Sequence, residues 1–235
     1  DGFKWWIQRF KSILEYVDLI RIDHFRGFES YWSVPGGEET AMNGKWVEAP
    51  GREFFIKLRA ELGELPIVAE DLGIITPEVE ALRDEFDFPG MKILHFAFDS
   101  GAANPYLPYN YATPNCVVYT GTHDNNTTMG WYEARSADEN QWLWNYLGCS
   151  RGEGVNWDLI RLALASVANL AIFPMQDLLG LGTGSRMNEP SKATGNWDWQ
   201  LRPNVLNEDL SGRMRFYTGV YGRTPQRPAP PEEIE

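Results

Sequence analysis

The feature that most constrains this chain is a repeated unit. A segment with apolar residues at helical spacing is followed by a short apolar run that stops on a charged side chain. Phe3, Trp6, Ile7, Phe10, Leu14 and Val17 recur at helical spacing and lead into the run 18–23, which reads as a strand ending on Asp23. Phe54, Phe55, Leu58 and Leu62 share one helix face ahead of the run 65–70, a strand ending on Glu70. Thr76 and Pro77 open a third helix, as N-cap and first helical residue, with Val79, Leu82 and Phe86 on its buried face. Alternation over 91–98 predicts a further strand, and the run 116–122 predicts another that ends at His123-Asp124. The run 171–176 is the last strand candidate, although Pro174 counts against a regular interior strand. Ser136 and Glu139 have capping-box spacing, and Asn156 is placed to cap a helix reaching about Asn169. The stretch 27–51 reads as a long polar, Gly-rich connection.

Regular alternation of strand and helix implies an α/β fold with a parallel sheet. Long polar loops behind the strands, with ionisable residues at the strand ends, match the catalytic face of a (β/α)8 barrel. Such a barrel needs eight strands and only five candidates occur, so the expectation is a TIM-barrel chain that begins partway round. At 235 residues it is long enough for one sizeable core, and residues 1–235 are expected to form one catalytic portion with no second complete domain. The Pro-rich tail after Thr224 reads as a terminus.

Several function classes fall away. The net charge is -12 and no basic stripe stands out, which argues against nucleic acid as a partner. The apolar run 159–175 is interrupted by Arg161, Ser166 and Asn169 and is too polar to span a membrane. The opening residues do not form a signal peptide. Cys116 and Cys149 read as small core residues rather than a disulfide framework, which fits a reducing, cytoplasmic setting. The 10 Trp, 10 Tyr and 12 Phe could equally fill a core or face sugar rings.

Three segments could carry chemistry. In the first, alternation puts Arg21 and Asp23 on one side of a strand. A carboxylate beside a guanidinium stays ionised and could act as a nucleophile, or the two could form a structural ion pair. In the second, an apolar strand delivers Glu70 and Asp71 to its end. A desolvated Glu70 could stay protonated and serve as an acid, while one of the two carboxylates could instead cap the next turn. The third is the segment around His123 and Asp124, compatible with metal binding, triad chemistry or recognition of sugar hydroxyls. No G-x-S-x-G elbow supports a triad, and the three histidines (His24, His95, His123) lack H-x-x-x-H spacing for zinc. No Gly-rich phosphate loop of standard spacing is present. Three strand-end carboxylates remain, a set suited to glycosidic bonds, where one carboxylate attacks and another is acid, then base.

Taken together, the segments GFKWWIQRF, RIDHFRGFESYWSVP, AEDLG, GTHDNNTTMGWY and LLGLGTGSRMNEPSKATGNWDWQLR resemble the 4-alpha-glucanotransferase family. Its bacterial members are called amylomaltases and its plant members disproportionating enzymes. The resemblance implies that Asp23 is the nucleophile, Glu70 the general acid/base, and Asp124 the carboxylate that grips sugar hydroxyls and stabilises the distorted transition state. It implies substrate contacts at Arg21 and His123 and, in a loop near the cleft, at Arg186, Asn188 and Trp197; Trp32 and Tyr106 could line the glucan path or pack in the core. The implied reaction moves α-1,4-glucan segments between maltooligosaccharides, starch or glycogen-type glucans, with no metal or organic cofactor, in the cytoplasm or in a plastid if the source is a plant. A related α-amylase-type hydrolase or branching enzyme, or an inactive glucan-binding fragment, are the alternatives. Family members are longer, so the resemblance implies a C-terminal portion covering roughly strands 4–8, lacking the N-terminal part of the barrel. An open sheet of that kind would expose an apolar edge, and the isolated chain is expected to be unstable or inactive.

Overall fold

The structure is a computed structural model that describes residues 2–148 and 154–224. Cys149 and the tail beyond Thr224 lie outside the described residues. The chain divides into two compact units. One comprises the residues up to Lys92 with Thr113–Val117; the other comprises Ile93–Ala112 with the residues from Val118 onward.

The first unit opens with helix α1 (Lys4–Leu14), which turns Ile7 and Phe10 inward. It is shorter than the apolar spacing to Val17 implied, because the N–H groups of Tyr16 and Val17 both return to the Ile13 carbonyl in a closing turn. Strand β1 (Ile20–Ile22) follows. Next come β2 (Ser30–Ser33) and β3 (Lys45–Glu48), an antiparallel pair with Trp32 opposite Trp46. This hairpin corrects the reading of 27–51 as a plain polar connection. The residues around it are polar, but a cross-strand Trp pair can hold two short strands together. The Trp32 indole N–H donates to the Ala41 carbonyl at 2.8 Å, and Gly44 lies so close under the indole that a Cβ there would overlap it.

Helix α2 (Gly51–Leu62), strand β4 (Ile67–Ala69), helix α3 (Pro77–Glu85) and strand β5 (Gly90–Ile93) complete the pattern. Strands β1 and β4 pair in parallel, Ile20 with Ile67, Arg21 with Val68 and Ile22 with Ala69. Phe25, Phe54, Phe55 and Phe88 fill the core between strands and helices, with Phe25 stacked on Phe55. Each such ring contributes roughly 1.5–3 kcal/mol through burial. Thr76 caps α3 by backbone geometry as expected, although its hydroxyl makes no cap hydrogen bond.

Strand β6 (Cys116–Tyr119), of which Val118 and Tyr119 belong to the second unit, is followed there by helices α4 (Thr128–Glu133), α5 (Ala137–Leu147) and α6 (Val155–Ala165). Strand β7 (Leu170–Ile172), helix α7 (Met175–Leu178) and helix α8 (Glu208–Val220) follow. The strand order is β5-β6-β7. Trp157, Ile160, Leu164 and Tyr217 form a core between α6 and α8. Cys116 is buried, as a small core residue would be. The capping box at α5 is complete: Ser136 Oγ accepts from the Glu139 N–H, and the Glu139 carboxylate accepts from the Ser136 N–H at 2.7 Å.

Several boundaries differ from the sequence reading. The run 91–98 is a strand only to Ile93, after which Leu94–Phe98 coil into a 3-10 helix. Leu94, His95, Ala97 and Phe98 are all buried there. Asn156 does not cap α6. Gly154 does, at φ 97, and Asn156 inside the helix donates its amide to the Asp177 carbonyl at 2.8 Å. That helix ends at Ala165 rather than near Asn169, with the Ser166 hydroxyl donating to the Ala163 carbonyl. The last strand stops at Ile172, and Pro174 opens α7, consistent with the weight given to the proline. No described helix is long and apolar enough to cross a membrane.

Candidate active site

Strand-end carboxylates occur in both units. In the first, the β1–β4 register extends by one residue to set Asp23 beside Glu70, and the Glu70 N–H donates to the Ile22 carbonyl at 2.9 Å. Neighbouring strands run about 4.8 Å apart, so the two residues leave adjacent strand ends. The expected pairing of Arg21 with Asp23 is present at 2.6 Å. The Asp23 side chain is nevertheless 76% exposed, which leaves the second carboxylate oxygen open to a ligand.

Glu70 is held differently. One carboxylate oxygen accepts from the His24 N–H at 2.6 Å and the other from the Leu72 N–H at 3.0 Å. His24 occupies the left-handed region at φ 50, a strained setting for a non-glycine residue. That conformation lets residues 24 and 25 grip Glu70 from both sides, because the Phe25 N–H donates to the Glu70 carbonyl at 3.0 Å. The neighbouring Asp71 is tied into the fold by side-chain and main-chain partners. It is 7% exposed, pairs with Arg83 at 2.6 Å and accepts from the Met91 N–H at 2.7 Å.

The second unit gathers the remaining sequence candidates into one cluster. His123 Nε2 lies 3.4 Å from an Asp124 carboxylate oxygen. Asn188 donates its amide to the other Asp124 oxygen at 2.6 Å. Arg186 donates to the Asp124 main-chain carbonyl at 2.6 Å and to the Asn188 carbonyl at 2.8 Å. The His123 ring meets Trp197 with centroids 5.1 Å apart, and Trp197 is held at φ 64 with its N–H on the Met187 carbonyl. An exposed carboxylate, an amide, an imidazole and an indole face in one place offer hydrogen bonds and an apolar plane together. Trp32 stands partly exposed on the hairpin, whereas Tyr106 packs edge-on against Phe96. Among the described residues no group of three or more His, Cys, Asp and Glu is arranged to hold a metal ion.

Sequence reasoning missed Asp177 and His95. Asp177 is fully buried, and burial pushes its carboxyl above the usual carboxylate range against hydrogen bonds from Thr120 and Thr128. His95 is 2% exposed, and burial, with Arg135 nearby, lowers its imidazole to about 3. Asp177 directly follows the strand candidate 171–176, so the strand-end pattern that found Asp23 and Glu70 would also have found it.

Residues 1–207 match the family described as 4-alpha-glucanotransferase. The 4-alpha-glucanotransferase of Synechocystis sp. is 65% identical over 94% of this chain and 44% of its own length. That of Thermus thermophilus is 51% identical over 92% of this chain and 44% of its own. The chain therefore spans less than half the length of these relatives. The solved amylomaltase of Streptococcus agalactiae, in complex with acarbose, superposes with a TM-score of 0.89 at 39% identity, covering 94% of this chain and 45% of that one. The chain shares the α/β fold of the amylomaltases, a fold of the TIM-barrel type.

Proposed function

Because the chain belongs to the 4-alpha-glucanotransferase family, we propose that it carries the catalytic carboxylates of an enzyme that moves α-1,4-glucan segments between sugars. The observation that carries this reading is the parallel register that sets Asp23 beside Glu70, since a retaining pair of carboxyl groups stands about 5–5.5 Å apart.

In this reading an Asp23 oxygen attacks the anomeric carbon of the donor glucan. The glycosidic bond breaks as Glu70 delivers its proton to the leaving oxygen, and a covalent glycosyl-Asp23 ester forms. The 4-hydroxyl of an acceptor sugar then attacks the same carbon, Glu70 takes its proton, and Asp23 leaves as a carboxylate. Arg21 keeps the Asp23 oxygens oriented. Asp124 grips hydroxyls of the distorted sugar, with His123, Asn188 and Trp197 completing the contact and Arg186 bracing the Asp124 main chain. A sugar wins over water as acceptor when the site favours sugars and restricts water. The Streptococcus relative's acarbose complex supports maltooligosaccharide-like ligands. Strands β1, β4, β5, β6 and β7 are read as roughly strands 4–8 of the barrel, and the cytoplasmic setting stays part of this reading.

The test uses a full-length chimera in which this chain replaces the matching stretch of the Synechocystis relative. Maltotriose should yield glucose and longer linear glucans, and Asp23→Asn should cut turnover at least about 1,000-fold. Reducing ends rising in step with consumed bonds would mean hydrolysis and sink the transfer reading. An active Asp23→Asn variant would sink the assignment of the nucleophile.

A further inference from the structure

The loop 121–127 carries His123 and Asp124 between the end of β6 and the start of α4. Thr120 and Thr128 flank it directly, and both are fully buried. The carboxylate of Asp177, in α7, lies beneath both. One of its oxygens accepts the Thr120 hydroxyl and the Thr128 hydroxyl, the latter at 2.8 Å; its other oxygen accepts the Thr128 N–H at 2.7 Å. A single buried acid thus ties the two hinges of the loop to each other.

The tie extends to His95. The Thr128 hydroxyl has one hydrogen and gives it to Asp177, so the 2.9 Å contact between His95 Nε2 and Thr128 Oγ1 is a bond donated by the imidazole. The His95 ring stacks on Trp131, and the His95 N–H donates to the Thr120 carbonyl at 3.1 Å. Gly121, the first residue of the loop, runs so close to this ring that a Cβ would collide with it. The loop therefore enters over His95 and leaves over Thr128.

We propose that Asp177 is a positioning residue, whose buried carboxylate sets the height and direction of the loop that presents Asp124 and His123. The proposal rests on the assignment of Asp124 to substrate contact made above. Asp177 touches no substrate; it acts through Thr120 and Thr128. Buried polar groups that satisfy one another define a single arrangement more sharply than apolar packing does. A misplacement of about 1 Å at a reacting site costs on the order of 100-fold in rate.

The same full-length chimera tests it, with kcat and KM for maltotriose, the melting temperature, and five variants: Asp177→Asn, Thr120→Val, Thr120→Ser, Asp124→Asn and the Thr120→Val/Asp124→Asn pair. Thr120→Val removes one hydroxyl at constant shape and keeps the test alive should Asp177→Asn fold poorly. The expected result is a kcat loss of between about tenfold and about 100-fold in Thr120→Val, with KM within about twofold. That loss should largely vanish when Asp124 is already Asn, because the hinge then has no oriented carboxylate left to place. Thr120→Ser, which restores the hydroxyl, should recover most of the rate. Parent-like kcat in a folded Thr120→Val protein, or the same fold loss in the Asp124→Asn background, overturns the proposal. Parent-like turnover by Asp124→Asn alone would overturn the assignment of Asp124 and this proposal with it.

Discussion

Asp23 and Glu70 sit side by side in the register but are supported in opposite ways. Asp23 leans on one exposed arginine, while Glu70 is clamped by two main-chain N–H groups. The same isosteric change should therefore separate chemistry from stability. Asp23→Asn should abolish transfer and leave the melting temperature almost unchanged, as exposed substitutions do. Glu70→Gln should abolish transfer too, but its amide NH2 must face one of the two N–H donors, costing about 1–2 kcal/mol of stability. Paired activity assays and denaturant melts check both. The relation of Arg21 to Asp23 was legible because residues two apart share a strand face. The separate roles of Glu70 and Asp71 were not, because they depend on Arg83 and Met91, which come near only through folding. Arg186, Asn188 and Trp197 were named by motif, and the cluster around Asp124 gives each a physical partner.

At the level of elements, periodicity located the helices and most strands, and errors arose where one local rule met a longer-range demand. The hairpin β2–β3 was hidden by the polar composition around it. The 3-10 helix at 94–98 was hidden because the alternation over 91–98 reads as strand and no Gly or Pro marks the change at Leu94. Two substitutions probe what the elements rest on. Ser136→Ala removes the hydroxyl half of the α5 capping box and should lower the melting temperature by about 2–4 °C, read by circular dichroism. Gly51→Ala, in the first turn of α2, offers better helix propensity by about 1 kcal/mol. It should still destabilise, because the new Cβ would run into the Phe28 carbonyl oxygen of the main chain. A stability gain for Gly51→Ala would show that the connection before α2 yields easily.

For the molecule as a whole, the sequence conveyed the fold type and the family, while the division into two compact units has no marker in composition or linker. Buried ionisable groups link its stability to pH. The His95 imidazole titrates near 3 when folded and near 6.5 when unfolded, so below about 6.5 the unfolded chain binds the proton first. Its contribution is complete above pH 6.5 and is lost progressively as pH falls toward 3. Between pH 7 and pH 5 this amounts to about 2 kcal/mol. Asp177 works in the opposite sense, since its raised folded value favours proton uptake on folding as pH drops through the carboxylate range. Comparing urea unfolding of the parent with His95→Phe isolates the first effect, because Asp177 is common to both. The parent should lose about 2 kcal/mol more than the variant between pH 7 and pH 5. Equal losses would mean that His95 is protonated within the fold.

The clamp on Glu70 has a consequence for anyone wishing to redesign the site. Its holders at positions 24 and 72 are peptide groups, so they are encoded by backbone shape and not by the identity of a side chain. Saturation libraries at residue 72 should therefore yield working proteins for nearly every amino acid except proline, the one residue that brings no N–H. Position 24 should be narrower, favouring glycine, asparagine and the native histidine, which tolerate the left-handed turn. The surroundings of Glu70 can thus be varied while its carboxylate stays where it is.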